Sequence, residues 1–285
     1  MVVEELELQT PYLRLAARAW GPADGVPVLA LHGWLDNAAS FDALAPRLPG
    51  IRLVALDLPG HGGSDPRPPG VHYHFVDFIP DVVAATDALG WKHFALLGHS
   101  LGGGIASFTA AILPERVTRV AMIEGLGPPT SNPDDGPSHL RKAIDQMNAL
   151  PRKNPPVYPS VEAAIQARCE ASGLSWRATA LLVGRGLQPV DGGYGWRTDP
   201  RLRFVSPLYL SEPQILAYMA RITVPALLIC GADGYLVKRA YMRDRYARIA
   251  DLTVRILPGG HHPHLEDPEP CARLLASFFA ADRPT

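Results

Sequence analysis

Basic residues are not in excess in this chain of 285 residues: 27 lysines and arginines stand against 28 aspartates and glutamates, a formal net charge of −1. Without a positive footprint, binding to nucleic acid or to an acidic lipid surface has no electrostatic basis. The three cysteines, Cys169, Cys230 and Cys271, are odd in number and far apart, and they form no C-x-x-C pair. They read as reduced packing residues, which excludes a disulfide framework or a redox centre. No segment reaches the length of a membrane span, and the amino end, MVVEELELQTP, is acidic where a signal peptide needs basic and then apolar residues. Despite 29 prolines and 26 glycines, internal repeats and low complexity are also missing. The expectation is a cytoplasmic protein acting on a small neutral or mildly polar molecule, its oligomeric state left open.

What is present is a core and a rhythm. Apolar residues make up 47% of the chain, enough at this length for a full-sized interior. Short apolar runs read as strands: Val26 to Leu31, Ile51 to Asp57, His93 to Gly98, Val117 to Glu124, Val224 to Gly231 and Leu252 to Pro258. Between them, Asp77 to Leu89, Ser100 to Leu113, Lys238 to Ile249 and Glu266 to Ala280 carry apolar residues at helical spacing. The amino-terminal LELQTPYLRLAARAW looks like an antiparallel pair feeding the sheet. Alternation of this kind predicts an α/β architecture with a mostly parallel central sheet flanked by helices. The rhythm breaks once, from about Gly125 to Leu210, where a proline-rich acidic stretch leads into helical segments at Ser138 to Leu150, Val161 to Ser172 and Ser175 to Val183. This predicts a core of residues 1–124 and 211–285, with 125–210 inserted as a mostly helical cap.

One short stretch, LLGHSLGGG, carries the chemistry. A strand ending at Gly98 and a helix opening at Ser100 need a very tight turn, which leaves the serine hydroxyl exposed at the carboxyl edge of the sheet and at a helix amino terminus. A serine hydroxyl is a weak nucleophile until a positioned base takes its proton. That base is expected in PGGHHPHLEDPE after the last strand: His261, with His262 and His264 as near alternatives. A metal-binding reading of the three histidines fails for want of a second ligand cluster at matching spacing, so no metal and no cofactor is expected.

An imidazole base needs a carboxylate to orient it, and two candidates end strands: Glu124 in VAMIEGLGP and Asp233 in CGADGYLV. Either gives the chain order serine, acid, histidine of a nucleophile-elbow hydrolase. Backbone N–H groups of Trp34, in LALHGWLDN, and of Leu101 would face the oxyanion of a tetrahedral intermediate. His32 would brace that loop, His99 would pack near the elbow, and Asp57 in DLPGHGGSD would tether the loop after its strand.

Over nearly its whole length the chain resembles the α/β-hydrolase superfamily, through HGW (His32 to Trp34), DLPGHGGSD (Asp57 to Asp65), GHSLGG (Gly98 to Gly103) and GGHHPHLEDPE (Gly259 to Glu269). Within it, HGWLDNAASFD, IEGLGP and GWRTDPRLR look most like the serine hydrolase-like proteins. The resemblance implies a cofactor-free serine esterase mechanism. In most members the acid lies three residues beyond the glycine that ends the seventh strand, and here that position is Gly234. The haloalkane dehalogenases that carry a glutamate after the sixth strand also have glycine there, so the resemblance favours Glu124 over Asp233. Those enzymes use an aspartate nucleophile, and Ser100 instead implies acyl transfer from esters, thioesters or lactones. The same fold also hosts non-catalytic small-molecule binding, the remaining alternative. Trp34, Phe41, Trp176, Tyr194, Trp196, Phe204 and Tyr209 are the aromatics available to an acyl pocket, and Arg185, Arg197, Arg201 and Arg203 the cations available to an acidic substrate.

Overall fold

Runs that are apolar at every position can be buried only where both faces of a sheet are covered, and the alternating fates of neighbouring residues show this directly. The computed structural model describes residues 2–150 and 155–280. Among the described residues there are ten strands: β1 (Glu4–Gln9), β2 (Arg14–Trp20), β3 (Val26–Leu31), β4 (Ile51–Leu56), β5 (Phe94–His99), β6 (Val117–Ile123), β7 (Leu187–Val190), β8 (Gly193–Trp196), β9 (Ala226–Gly231) and β10 (Leu252–Leu257). Eight of them form one sheet in the order β1-β2-β4-β3-β5-β6-β9-β10. It is parallel except at β2, which runs antiparallel to both β1 and β4. Leu29, Leu96, Met122 and Leu228 enter the cluster on one face, while Val28, Leu97, Ile123 and Ile229 enter the cluster on the other.

The helices flanking the sheet are α1 (Phe78–Ala88), α2 (Leu101–Ile112), α6 (Glu212–Met219), α7 (Met242–Arg248), α8 (Pro263–Glu266) and α9 (Pro268–Ala280). Phe78 and Phe108 fill the first cluster, and Phe279 the second. Two departures from the expected helices have local causes. The period over Glu266 to Ala280 is divided because Pro268 has no N–H to continue α8 and instead opens α9. Lys238 to Ile249 is divided into the end of a 3-10 turn, Leu236–Lys238, and α7, because the chain leaves helical geometry at Arg239, whose backbone is extended. Helix α6, absent from the sequence reading, starts at a Ser211/Gln214 capping box with Pro213 in its first turn.

Between β6 and α6 lie α3 (Gly136–Ala149), α4 (Val161–Ser172), α5 (Trp176–Gly186) and the two-stranded hairpin β7-β8, none of which joins the main sheet. Ser160 and Ser175 each accept a hydrogen bond from the backbone N–H three residues on, capping α4 and α5. The hairpin was not anticipated from sequence, although Asp191-Gly192 is the two-residue signal for one. Arg185 fastens this segment to the core: its Nε lies 3.0 and 2.9 Å from the two oxygens of Asp57, which is fully buried. Asp57 also accepts from the Ala38 and Gly63 N–H groups at 2.7 Å, so it does hold the loop after its strand. Removing one partner of a buried ion pair strands the other charge. Arg185→Ala is therefore expected to lower unfolding stability by about 3 kcal/mol in urea titration, with unchanged stability as the contrary result.

Candidate active site

Three residues other than glycine have positive φ among the described residues: Leu35 (61°), Ser100 (51°) and Glu124 (50°). Such strain persists only where the surroundings over-determine it, and it gathers at functional sites. All three lie on loops at the carboxyl edge of the sheet. Ser100 stands between β5 and α2 at the N-cap position, yet its side chain caps nothing. The turn is tight enough that a Cβ at Gly98 would lie 2.2 Å from the Gly102 carbonyl oxygen, so no larger residue fits the frame.

With its hydroxyl free of the helix, Ser100 Oγ lies 2.9 Å from His261 Nε2. His261 Nδ1 lies 3.1 Å from Glu124 Oε2. The Glu124 carboxylate, 2% exposed, also accepts from the N–H groups of Gly231 (2.8 Å) and Tyr235 (2.6 Å). Burial alone would raise its pKa. The bonds from His261, Gly231 and Tyr235 outweigh burial and hold the carboxyl below its ordinary value. Of the two acids considered from sequence, the fold brings Glu124 to the imidazole. Asp233 lies on the exposed rim, its N–H bonded to the Gly259 carbonyl and its own carbonyl accepting from Lys238 Nζ. Gly234 explains the arrangement, since a Cβ there would lie 2.2 Å from Glu124 Oε1. The space a side chain at position 234 would occupy is filled by the carboxylate arriving from β6.

The loop after β3 forms one wall. His32 is fully buried, with Nδ1 2.7 Å from the Gly33 carbonyl and Nε2 accepting from the Leu58 N–H at 3.0 Å. That bonding braces the loop, and burial lowers the pKa of His32. Gly102 N–H donates to the His32 carbonyl at 3.1 Å, tying the loop to the elbow. Leu101 opens α2, where the first N–H groups of a helix have no intrahelical partner. Trp34 is 52% exposed, its indole N–H bonded to the Leu202 carbonyl at 2.8 Å.

Trp34, Ser100, His261 and Asp233 all line one open cavity of about 1530 Å³. Trp196 and Phe204, two of the aromatics available to a pocket, line it together with Tyr158 and Tyr235, which the sequence did not single out. Phe41 is core, Trp176 lies outside the cavity lining, Tyr194 packs in a small cluster with Tyr158 and Trp196, and Tyr209 packs at a tilt against His139. Of the four arginines, Arg203 lines the cavity; Arg185 binds Asp57, Arg197 binds the Leu187 carbonyl, and Arg201 binds Asp199. No helix among the described residues is long and apolar enough to cross a membrane.

A family model for the alpha/beta hydrolase fold matches residues 26–268. The chain is an α/β hydrolase. Among curated proteins, this hydrolase is 33% identical over 98% of its length to 89% of a serine hydrolase-like protein of Danio rerio. It is 31% identical, over 98% of its length, to 94% of serine hydrolase-like protein 2 of Homo sapiens. Among solved structures, a hypothetical protein of Pseudomonas aeruginosa PAO1 is similar at 44% identity and a TM-score of 0.93, covering 97% of this chain and 99% of that one. A thioesterase domain from the curacin biosynthetic pathway is similar at 25% identity and a TM-score of 0.87, covering 99% and 100%.

Sequence spacing missed one group. Asp36, in the loop after β3, and His99, beside the serine, both meet His262, a second ligand cluster that the metal reading lacked. The acid inside HGWLDN was the available signal, but nothing in the spacing joins it to the other two.

Two outcomes are expected. Gly234→Ala, by pushing a buried carboxylate off its donors, should lower stability by about 2 kcal/mol; a Tm equal to wild type would contradict the close approach. A depressed carboxyl favours the folded state above the ordinary carboxylate range and loses that contribution as pH falls through the lower folded value. Glu124→Gln should therefore be less stable than wild type at neutral pH, with the gap in Tm narrowing in acid. A gap independent of pH would oppose the assignment of Glu124 as an ionised acceptor.

Proposed function

We propose that this protein is a serine hydrolase of carboxylic esters. The observation that carries the reading is the line of hydrogen bonds from Glu124 through His261 to Ser100, on the wall of an open cavity. Glu124 accepts the Nδ1–H of His261, which leaves Nε2 with its lone pair toward Ser100. His261 takes the Ser100 proton as Oγ attacks the ester carbonyl. The backbone N–H groups of Leu101 and Trp34 donate to the oxyanion, each worth about 3 kcal/mol to the transition state. Protonated His261 then gives its proton to the departing alcohol, Glu124 stabilising the imidazolium meanwhile. Water hydrolyses the acyl-enzyme by the same route, regenerating the Ser100 hydroxyl. Residues 125–210 act as a cap that chooses the acyl group. The positions of Tyr158, Trp196, Arg203 and Phe204 in the cavity lining support this.

A thioester substrate is the second reading, favoured by the similarity in fold to a thioesterase domain. The residues and steps would be the same, with a thiol as leaving group.

The test is hydrolysis of nitrophenyl esters across an acyl-chain series, with acyl thioesters in parallel. Ser100→Ala should lose at least about 10³-fold in kcat, and Glu124→Gln about 10²- to 10⁴-fold, while Asp233→Asn stays near wild type. A large loss in Asp233→Asn with little in Glu124→Gln would reverse the choice of acid. Turnover that survives in Ser100→Ala would remove the serine mechanism.

A further inference from the structure

Beside the Ser100–His261 pair, Asp36 Oδ2 and His99 Nδ1 are buried without a hydrogen-bond partner among the described residues, as is Nδ1 of His264, whose ring packs on that of His99. Asp36 Oδ2 and His99 Nδ1 stand 3.7 Å apart, and His262 Nε2 lies 3.5 Å from the same Asp36 oxygen. His99 donates from Nε2 to the His261 carbonyl at 2.9 Å, a bond that places its proton there and leaves a lone pair on Nδ1. Asp36 and His99 therefore turn two acceptors toward each other inside the protein, an arrangement that costs free energy unless a cation, or a donor reaching in from His262 or the cavity, sits between them. Gly33 keeps that place open, since a Cβ there would lie 2.8 Å from His99 Nδ1 and 3.1 Å from Asp36 Oδ2.

We propose that Asp36, His99 and His262 form a binding site for a borderline divalent transition-metal ion, with Zn²⁺ as its representative. All three ligand atoms lie within 4.8 Å of one another. A tetrahedral ion with bonds of about 2.1 Å holds its ligands roughly 3.4 Å apart, close to the two shorter separations. His262, the least buried of the three, closes the remaining gap by a small side-chain rotation. Two imidazoles and one carboxylate suit Zn²⁺ and do not suit Mg²⁺ or Ca²⁺, which require mostly oxygen ligands. Asp36 and His262 line the cavity, so ion and solvent have access. Arg168 holds the other Asp36 oxygen at 2.7 Å, and its charge keeps the affinity moderate.

Occupancy has a consequence for the neighbouring chemistry. The ion ties the loop carrying Trp34 to the segment carrying His261 and sets a positive charge beside the imidazole that has to become a cation as Ser100 attacks, since the rings of His99 and His262 each lie 5.0 Å from that of His261. Zn²⁺ therefore inhibits hydrolysis reversibly, a consequence that rests on the serine hydrolase reading; the binding itself does not.

Calorimetric titration of chelator-treated protein with Zn²⁺, and visible absorption of the Co²⁺-loaded protein, test the site without turnover. One equivalent bound at micromolar affinity is expected, together with a loss of at least about tenfold in His262→Gln and in Asp36→Asn. Mg²⁺ should not compete. Because Asp36→Asn disturbs a buried ion pair, the partly exposed His262→Gln, checked by circular dichroism, carries the decision. Absence of binding, or binding that His262→Gln leaves intact, overturns the site. Zn²⁺ that binds at this site without slowing ester hydrolysis overturns the inhibitory consequence alone.

Discussion

A carboxylate removed from water has to be surrounded by donors, and the candidate site is organised around how Glu124 meets that requirement. The end of β6 delivers the side chain over the end of β9, where the N–H groups of Gly231, Tyr235 and Leu236 converge on it. The remaining direction is filled by His261. Several features of the chain follow from this one convergence. Position 234 has room only for glycine, the residues after it turn once before α7 begins, and the imidazole is held with its other nitrogen toward Ser100.

The elbow and the loop after β3 answer a second constraint, close approach of backbone to backbone. Ser100 keeps a positive φ because β5, α2 and the residue after Glu124 all crowd it; a Cβ at Gly125 would lie 2.1 Å from the Ser100 carbonyl oxygen. His32 and Asp57 then hold the adjoining loops by bonds to main-chain groups. The segment from α3 to the β7-β8 hairpin is joined to this frame through buried polar contacts such as Arg185 with Asp57 and Asn37 with the Leu182 carbonyl. Among its described residues it has one small apolar cluster of its own, and a second is shared with Leu265 of α8.

Much of this was legible before any coordinates. The strands were readable because residues buried on both faces leave continuous apolar runs, and Val26–Leu31 has the bounds the sequence suggested. Ser100 and His261 stood out because glycine-framed turns have local signatures. Helix α6 and the β7-β8 hairpin were not read, being short elements marked by a capping box and by Asp191-Gly192 and not by long periodicity. Among the aromatics, residue type did not distinguish Phe41 in the core from Phe204 on the cavity wall.

The sequence by itself determined the α/β alternation, the order of serine, acid and histidine along the chain, and the tight frame around Ser100, because these depend on hydrophobic period and turn chemistry within a few residues. The tertiary structure decided which acid reaches His261, a choice the resemblance had only favoured, since it depends on where the donors of β9 and the following turn converge. It alone brought Asp36, His99 and His262 together, because a loop, a strand end and a helix start far apart in sequence meet only when the parallel strands are stacked in their final order.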